Sequence, residues 1–68
     1  MPRTDTERLD WVLAKQPEFD DGYLRLWFGM CAAEDAGLED GTGYYIAEGA
    51  NAREQIDNAM DNKLVYAG

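Results

Sequence analysis

The stretch Tyr23-Leu24-Arg25-Leu26-Trp27-Phe28 decides how this chain folds. Read with period two, Leu24, Leu26 and Phe28 lie on one side and Tyr23, Arg25 and Trp27 on the other, as in a half-buried strand rich in aromatic residues. Read with the period of a helix, Leu24, Trp27, Phe28 and Cys31 follow i, i+3, i+4, i+7, and Asp20 or Asp21 stands ready to cap them. Helix formers continue through Met30-Cys31-Ala32-Ala33-Glu34-Asp35-Ala36, with Gly37 as a C-terminal stop. Gly29 weakens a continuous helix across the whole segment. The reading adopted is a strand followed by a short helical turn, with helix as the alternative for residues 23–36.

Working outward, Glu18-Phe19-Asp20-Asp21-Gly22 reads as a turn. Before it, Thr4-Asp5-Thr6-Glu7 fits a capping box, in which Thr4 accepts from the Glu7 amide and Glu7 reaches back. Leu9, Val12 and Leu13 then recur at helical spacing, with Trp11 at the edge of that expected core face. Asp5 and Glu7 in the first turn and Lys15 in the last suit the helix dipole. Pro17 disfavours helical geometry at Gln16, so this helix should end near Lys15.

On the other side, Leu38-Glu39-Asp40-Gly41-Thr42-Gly43 is a loop by its glycines. Tyr44-Tyr45-Ile46-Ala47-Glu48 reads as a strand ended by Gly49, pairing antiparallel with the deciding stretch. Asn51 and Glu54 mark a second helix start, and Ile56, Ala59, Met60 and Leu64 form its apolar stripe. Leu64-Val65-Tyr66 either extends that helix or makes a short edge strand. The expected fold is one small α+β domain over residues 1–68: an N-terminal helix, a short antiparallel sheet of two or three strands, and a C-terminal helix.

With 68 residues the chain is near the lower limit for a self-sufficient core. Its eight aromatic residues argue against disorder. One cysteine and no histidine exclude an intrachain disulfide and leave too few ligands for zinc or an iron–sulfur cluster, so no metal or cofactor is expected. Good local packing or assembly as a homodimer must then supply stability. No run approaches the roughly 20 apolar residues of a membrane span. The opening Met1-Pro2-Arg3-Thr4-Asp5 leads into an amphipathic pattern rather than a signal sequence, so a soluble, cytoplasmic protein is expected.

Charge is unevenly placed. Of the net charge of −8, almost all falls in residues 16–52, where eight acids (Glu18, Asp20, Asp21, Glu34, Asp35, Glu39, Asp40 and Glu48) face one base, Arg25. The flanking segments are nearly balanced. A charged surface can serve solubility alone, but that does not explain the asymmetry. Carboxylates collected on one face would meet a groove rich in Lys and Arg, while repelling nucleic acid and anionic lipid themselves. The interleaved Phe19, Tyr23, Trp27, Tyr44 and Tyr45 exceed what a one-sided core needs, and some can anchor an interface.

Catalysis fares badly by comparison. Without histidine no Ser–His or Cys–His pair can form. Cys31 has no base or cation beside it in sequence and reads as a buried, inert thiol. Neighbouring acids such as Glu34 and Asp35 do not face one another, and a chain this short can hardly enclose a sugar-sized pocket. Neither Asp20-Asp21-Gly22 nor Glu39-Asp40-Gly41-Thr42-Gly43 has the spacing of a calcium loop, and Gly41-Thr42-Gly43 lacks the lysine of a phosphate loop. The protein is expected not to be an enzyme.

The segment Thr6-Glu7-Arg8-Leu9-Asp10-Trp11 resembles the opening of short phage- and prophage-encoded proteins. Arg53-Glu54-Gln55-Ile56-Asp57-Asn58-Ala59-Met60 is similar to the helix on which such proteins close. Gln55 and Asn58 depart from the alanines expected there, on what reads as an exposed face. The acidic middle is unmatched. A small, acidic, phage-like protein without catalytic residues also resembles anti-CRISPR proteins of the DNA-mimicking kind. That resemblance implies binding to the basic DNA-recognition surface of a CRISPR surveillance complex in a bacterial host cell. The class has no shared motif, so no residue role carries over, and the eight acids above are candidate contacts by the charge count alone. The rival readings are a phage structural or assembly protein acting as a homodimer, and an antitoxin-like partner of one basic protein.

Overall fold

The computed structural model describes residues 3–68. Met1 and Pro2, the first residues of the segment read as carrying no signal sequence, lie outside the described residues. In chain order the elements are α1 (Asp5–Lys15), β1 (Glu18–Asp20), β2 (Tyr23–Phe28), α2 (Met30–Asp35), β3 (Gly43–Glu48), α3 (Ala52–Met60) and β4 (Val65–Tyr66). They form the expected α+β domain, with four strands in place of two or three. The sheet runs β1-β2-β3-β4 and every neighbouring pair is antiparallel. No helix among the described residues is long and apolar enough to cross a membrane.

Period two prevails at the deciding stretch. Leu24, Leu26 and Phe28 are buried, while Arg25 and Trp27 are exposed. Their partners across the ladder on β3 are Ala47, Tyr45 and Gly43, all buried. This inner face carries the core, which Ala33 of α2 and Ile56 and Ala59 of α3 complete. Cys31 does not share it. The cysteine is exposed, contrary to the buried thiol expected, because six-residue α2 buries only Ala33.

The two additional strands come from pairing rather than from propensity. Segment 18–22 was read as a turn, but only Asp21 and Gly22 turn. Glu18, Phe19 and Asp20 pair with Arg25, Leu24 and Tyr23. Gly22, at φ +80, takes the left-handed conformation that lets so short a connection close. At the far edge Val65 and Tyr66 pair with Ile46 and Tyr45, so the open question over 64–66 resolves as a short edge strand. Both edges are brief, and Pro17 and two acids flank or fill the first, which discourages further strand pairing.

Helix α1 has the expected capping box, with the Glu7 amide donating to the Thr4 hydroxyl. It also ends as expected, with Gln16 left-handed ahead of Pro17. Its orientation differs from the expectation. Trp11 and Val12 pack against the core, whereas Leu9 and Leu13 are 56% and 65% exposed. The cause is Arg8, one helical step from Trp11 and Val12, whose Nε and Nη2 donate to the two carboxylate oxygens of Asp57 on α3, each at 3.0 Å. A bidentate pair of this kind fixes geometry as well as charge, and it rotates α1 away from its leucines.

Helix α3 is capped by Asn51, whose side chain accepts from the Glu54 amide. Gln55 and Asn58, read as exposed, instead tie the helix to the end of β3. Gln55 is only 5% exposed and donates to the Gly49 carbonyl at 3.2 Å, while Asn58 donates to the Glu48 carbonyl at 2.7 Å. Alanine in either place would strand a carbonyl just past the strand end. The same junction is close-packed around Gly49, where an added Cβ would stand 2.7 Å from the Gln55 nitrogen and 3.0 Å from the Glu54 carbonyl carbon. Those are backbone atoms, so the helix itself must shift. Gly49→Ala is expected to destabilise by about 1–3 kcal/mol, lowering the melting temperature by roughly 5–20 °C. Thermal unfolding followed by circular dichroism checks this. A change under about 4 °C, the lower bound for 1 kcal/mol, would mean the α3 start has room to move.

Candidate binding face of the sheet

With α3 and α2 on the inner face, the outer face of the sheet has no covering element among the described residues. Pairing register arranges its side chains in rows. At the hairpin end stand Asp20, Tyr23 and Glu48; next come Glu18, Arg25, Ile46 and Val65; last come Trp27 and Tyr44. The Tyr23 hydroxyl donates to Asp20 at 3.1 Å. That bond and, first, the Asp21 amide hold the Asp20 carboxyl below its usual range, while the same contact pushes the Tyr23 phenol up. Arg25 pairs with Glu18 across the strands, which raises its own pKa, and its guanidinium carbon sits 4.9 Å from the Tyr44 ring centroid. Tyr44 in turn meets Trp27 edge-on, with centroids 5.0 Å apart and planes at 69°. Trp27 remains 54% exposed.

All eight candidate acids are exposed. The fold does not gather them into one cluster. Glu18, Asp20, Asp21 and Glu48 lie toward the hairpin end, whereas Glu34 and Asp35 on α2 and Glu39 and Asp40 in the following loop come after the far end of β2, and Asp35 sits on the helical side of the sheet beside Trp11, Lys15 and Met60. The six residues of β2 separate the two groups, a span of about 17 Å at the usual rise per residue. Among the described residues no group of three or more acids, cysteine included, is placed to hold a metal ion.

The distribution of ion pairs sharpens the charge asymmetry. Arg3 pairs with Asp61 and Asp57, Arg8 with Asp57 and Asp5, and Arg53 with Asp5. Asp5 accepts from both Arg53 and Arg8, and chiefly the Arg53 hydrogen bonds hold its carboxyl down at about 2. Three arginines are thereby engaged within the helical layer. Of the eight candidate acids only Glu18 is in an ion pair among the described residues; the other seven have none.

The aromatic residues divide in a way the sequence did not reveal. Tyr23, Trp27 and Tyr44 reach the outer face, but Tyr45 is in the core and Phe19 points to the opposite side. There, Phe19, Leu9, Val12 and Ile56 line a groove of about 530 Å³ between α1, α3 and the β1 edge. That is larger than the chain length led us to expect and falls within the range of small-molecule sites. It lies open along the exposed Leu9 and Phe19, and its one acid, Asp5, is engaged by Arg8 and Arg53. It holds no pair of carboxylates for acid and base work. Ile46 and Val65 on the outer face, and the stacking of Arg25 on Tyr44, were not foreseen. Alternation along 23–28 and 44–48 supplied the signal, but only the register joins the two into a single surface.

Comparison with protein-family models, with curated proteins and with solved structures found no match to this chain.

Proposed function

We propose that this protein is a non-enzymatic inhibitor that presents carboxylates to a nucleic-acid-binding surface and occupies it in place of nucleic acid. One observation carries the reading: seven exposed acids make no ion pair among the described residues, while Arg3, Arg8 and Arg53 are engaged by Asp5, Asp57 and Asp61. The charge density supports it. The molecule is 29 Å long, a length over which one nucleic-acid strand carries about eight phosphates and a duplex about seventeen. Seven or eight carboxylates therefore imitate one strand. The phage-like character of the two helices, together with the anti-CRISPR resemblance, makes the basic channel of a CRISPR surveillance complex the proposed target, met in the cytoplasm of a bacterial host. The protein itself would bind neither nucleic acid nor membrane.

The test is a pull-down with immobilised protein from a CRISPR-containing bacterial lysate, eluted through rising salt. The reading expects a nucleic-acid-binding complex that leaves at moderate salt, because surface charge contacts are screened, and that duplex DNA displaces. Recovery of the protein alone, or of a phage structural partner indifferent to salt, would overturn it. That outcome would favour assembly through apolar contacts, a second reading to which the exposed Leu9, Leu13 and Phe19 lend support.

A further inference from the structure

We infer that the outer sheet face recognises arginine specifically, receiving a partner guanidinium on the open ring of Trp27. The inference rests on the proposed function and adds to it, since carboxylates alone attract lysine and arginine alike. Three features of the face lead to it. Trp27 is more than half exposed, yet its edge contact with Tyr44 holds the indole in one orientation. An aromatic ring fixed before binding loses little freedom when a ligand arrives. The face also already shows this chemistry internally: Arg25, its charge met by Glu18, lies 4.9 Å from the centroid of Tyr44 in the same row. Finally, with Tyr44 so engaged, Trp27 is the ring with space, and Asp20 and Glu48, without ion pairs among the described residues, stand on the same face at the hairpin end.

Charge complementarity selects the occupant. A nucleobase could stack on Trp27, but its phosphates would meet a chain of net charge −8. A second copy would bring the same charge against itself. A basic segment is drawn in, and of its two cations arginine fits better. The guanidinium is planar, stacks on aromatic faces and is more weakly hydrated, whereas an ammonium holds its water tightly.

The experiment titrates the full chain with octa-arginine and with octa-lysine at matched ionic strength, reading affinity by calorimetry and the Trp27 indole N–H by NMR. Octa-arginine is expected to bind roughly two- to fivefold more tightly than octa-lysine, and to shift the Trp27 indole signal. Trp27→Leu, which keeps apolar bulk without a π face, should bring octa-arginine down to the octa-lysine affinity and leave octa-lysine unchanged. Equal affinity of the two peptides for the unsubstituted protein overturns the inference and leaves the charge-based function standing. Failure of both to bind overturns both. An unmoved Trp27 signal, or an arginine preference retained by Trp27→Leu, also overturns the inference, as does a Trp27 shift that follows protein concentration without peptide, which would give the face to a second copy.

Discussion

Tyr45→Ala is expected to remove much or all of the protein's folding stability at 25 °C. Tyr45 is 2% exposed and stands where the sheet meets its far edge, packed edge-on against Phe28 and Tyr66 with ring centroids 5.3 Å away in each case. Its hydroxyl donates to the Gly41 carbonyl at 2.6 Å, anchoring the acidic loop to the core. Burial pushes its phenol pKa up, with Asp40 contributing next, so the hydroxyl remains a donor at neutral pH. Removing the ring costs about 3–5 kcal/mol, and loss of the hydrogen bond adds roughly 1 kcal/mol. A domain of this size has about 3–10 kcal/mol in total, so the loss equals much or all of its stability. Urea unfolding followed by circular dichroism measures it. Tyr45→Phe separates the two contributions, and is expected to cost only the hydrogen bond. A midpoint for Tyr45→Ala close to that of the parent protein would show that the core does not depend on this ring.

Local signals in this chain were legible and pairwise ones were not. N-terminal caps act within four residues, so Thr4 with Glu7 and Asn51 with Glu54 could be read directly. Alternation along β2 is equally local, and its rival helical pattern failed at Trp27 and Cys31, both of which are exposed. Strand β1 was missed because Glu18-Phe19-Asp20 has little strand character of its own; its partner 23–25 makes it a strand. The turn of α1 was misjudged because apolar residues lie on either side of Val12. What chose between Trp11 and Leu13 was an ion pair between Arg8 and Asp57, forty-nine positions apart. Gln55 was misplaced for a related reason: its polar end satisfies a carbonyl, so polarity did not mean exposure.

The candidate site shows the same division. Where the charge lies along the chain was visible, and each of the eight acids is at the surface. Their separation into two groups was not, since it follows from the length of β2 and its register with β3. Tyr44 and Tyr45 make the point most simply. Adjacent in sequence and alike in chemistry, one joins the outer row and the other fills the core, and a slip of one residue in register would exchange them.

Replacing Glu34, Asp35, Glu39 and Asp40 by the corresponding amides is expected to abolish inhibition while leaving the fold intact. All four are exposed and make no ion pair among the described residues, so the amides break no ion pair of the fold. Removing them halves the net charge of −8 and neutralises the acids that follow the far end of β2. Affinity for the basic partner should fall on the order of a hundredfold at low salt, and its dependence on salt should flatten, by up to about 3 in the log–log slope if each acid releases a counterion. Binding at rising salt measures both quantities, with circular dichroism to confirm the fold. Unchanged inhibition would sink mimicry at this end of the sheet and shift attention to the hairpin end, where Asp20, Asp21 and Glu48 can be neutralised together. Glu18 must stay in that second variant. Its carboxylate balances Arg25, and without it a bare cation would remain on the face, so a loss of binding would reflect an added positive charge as much as a missing negative one.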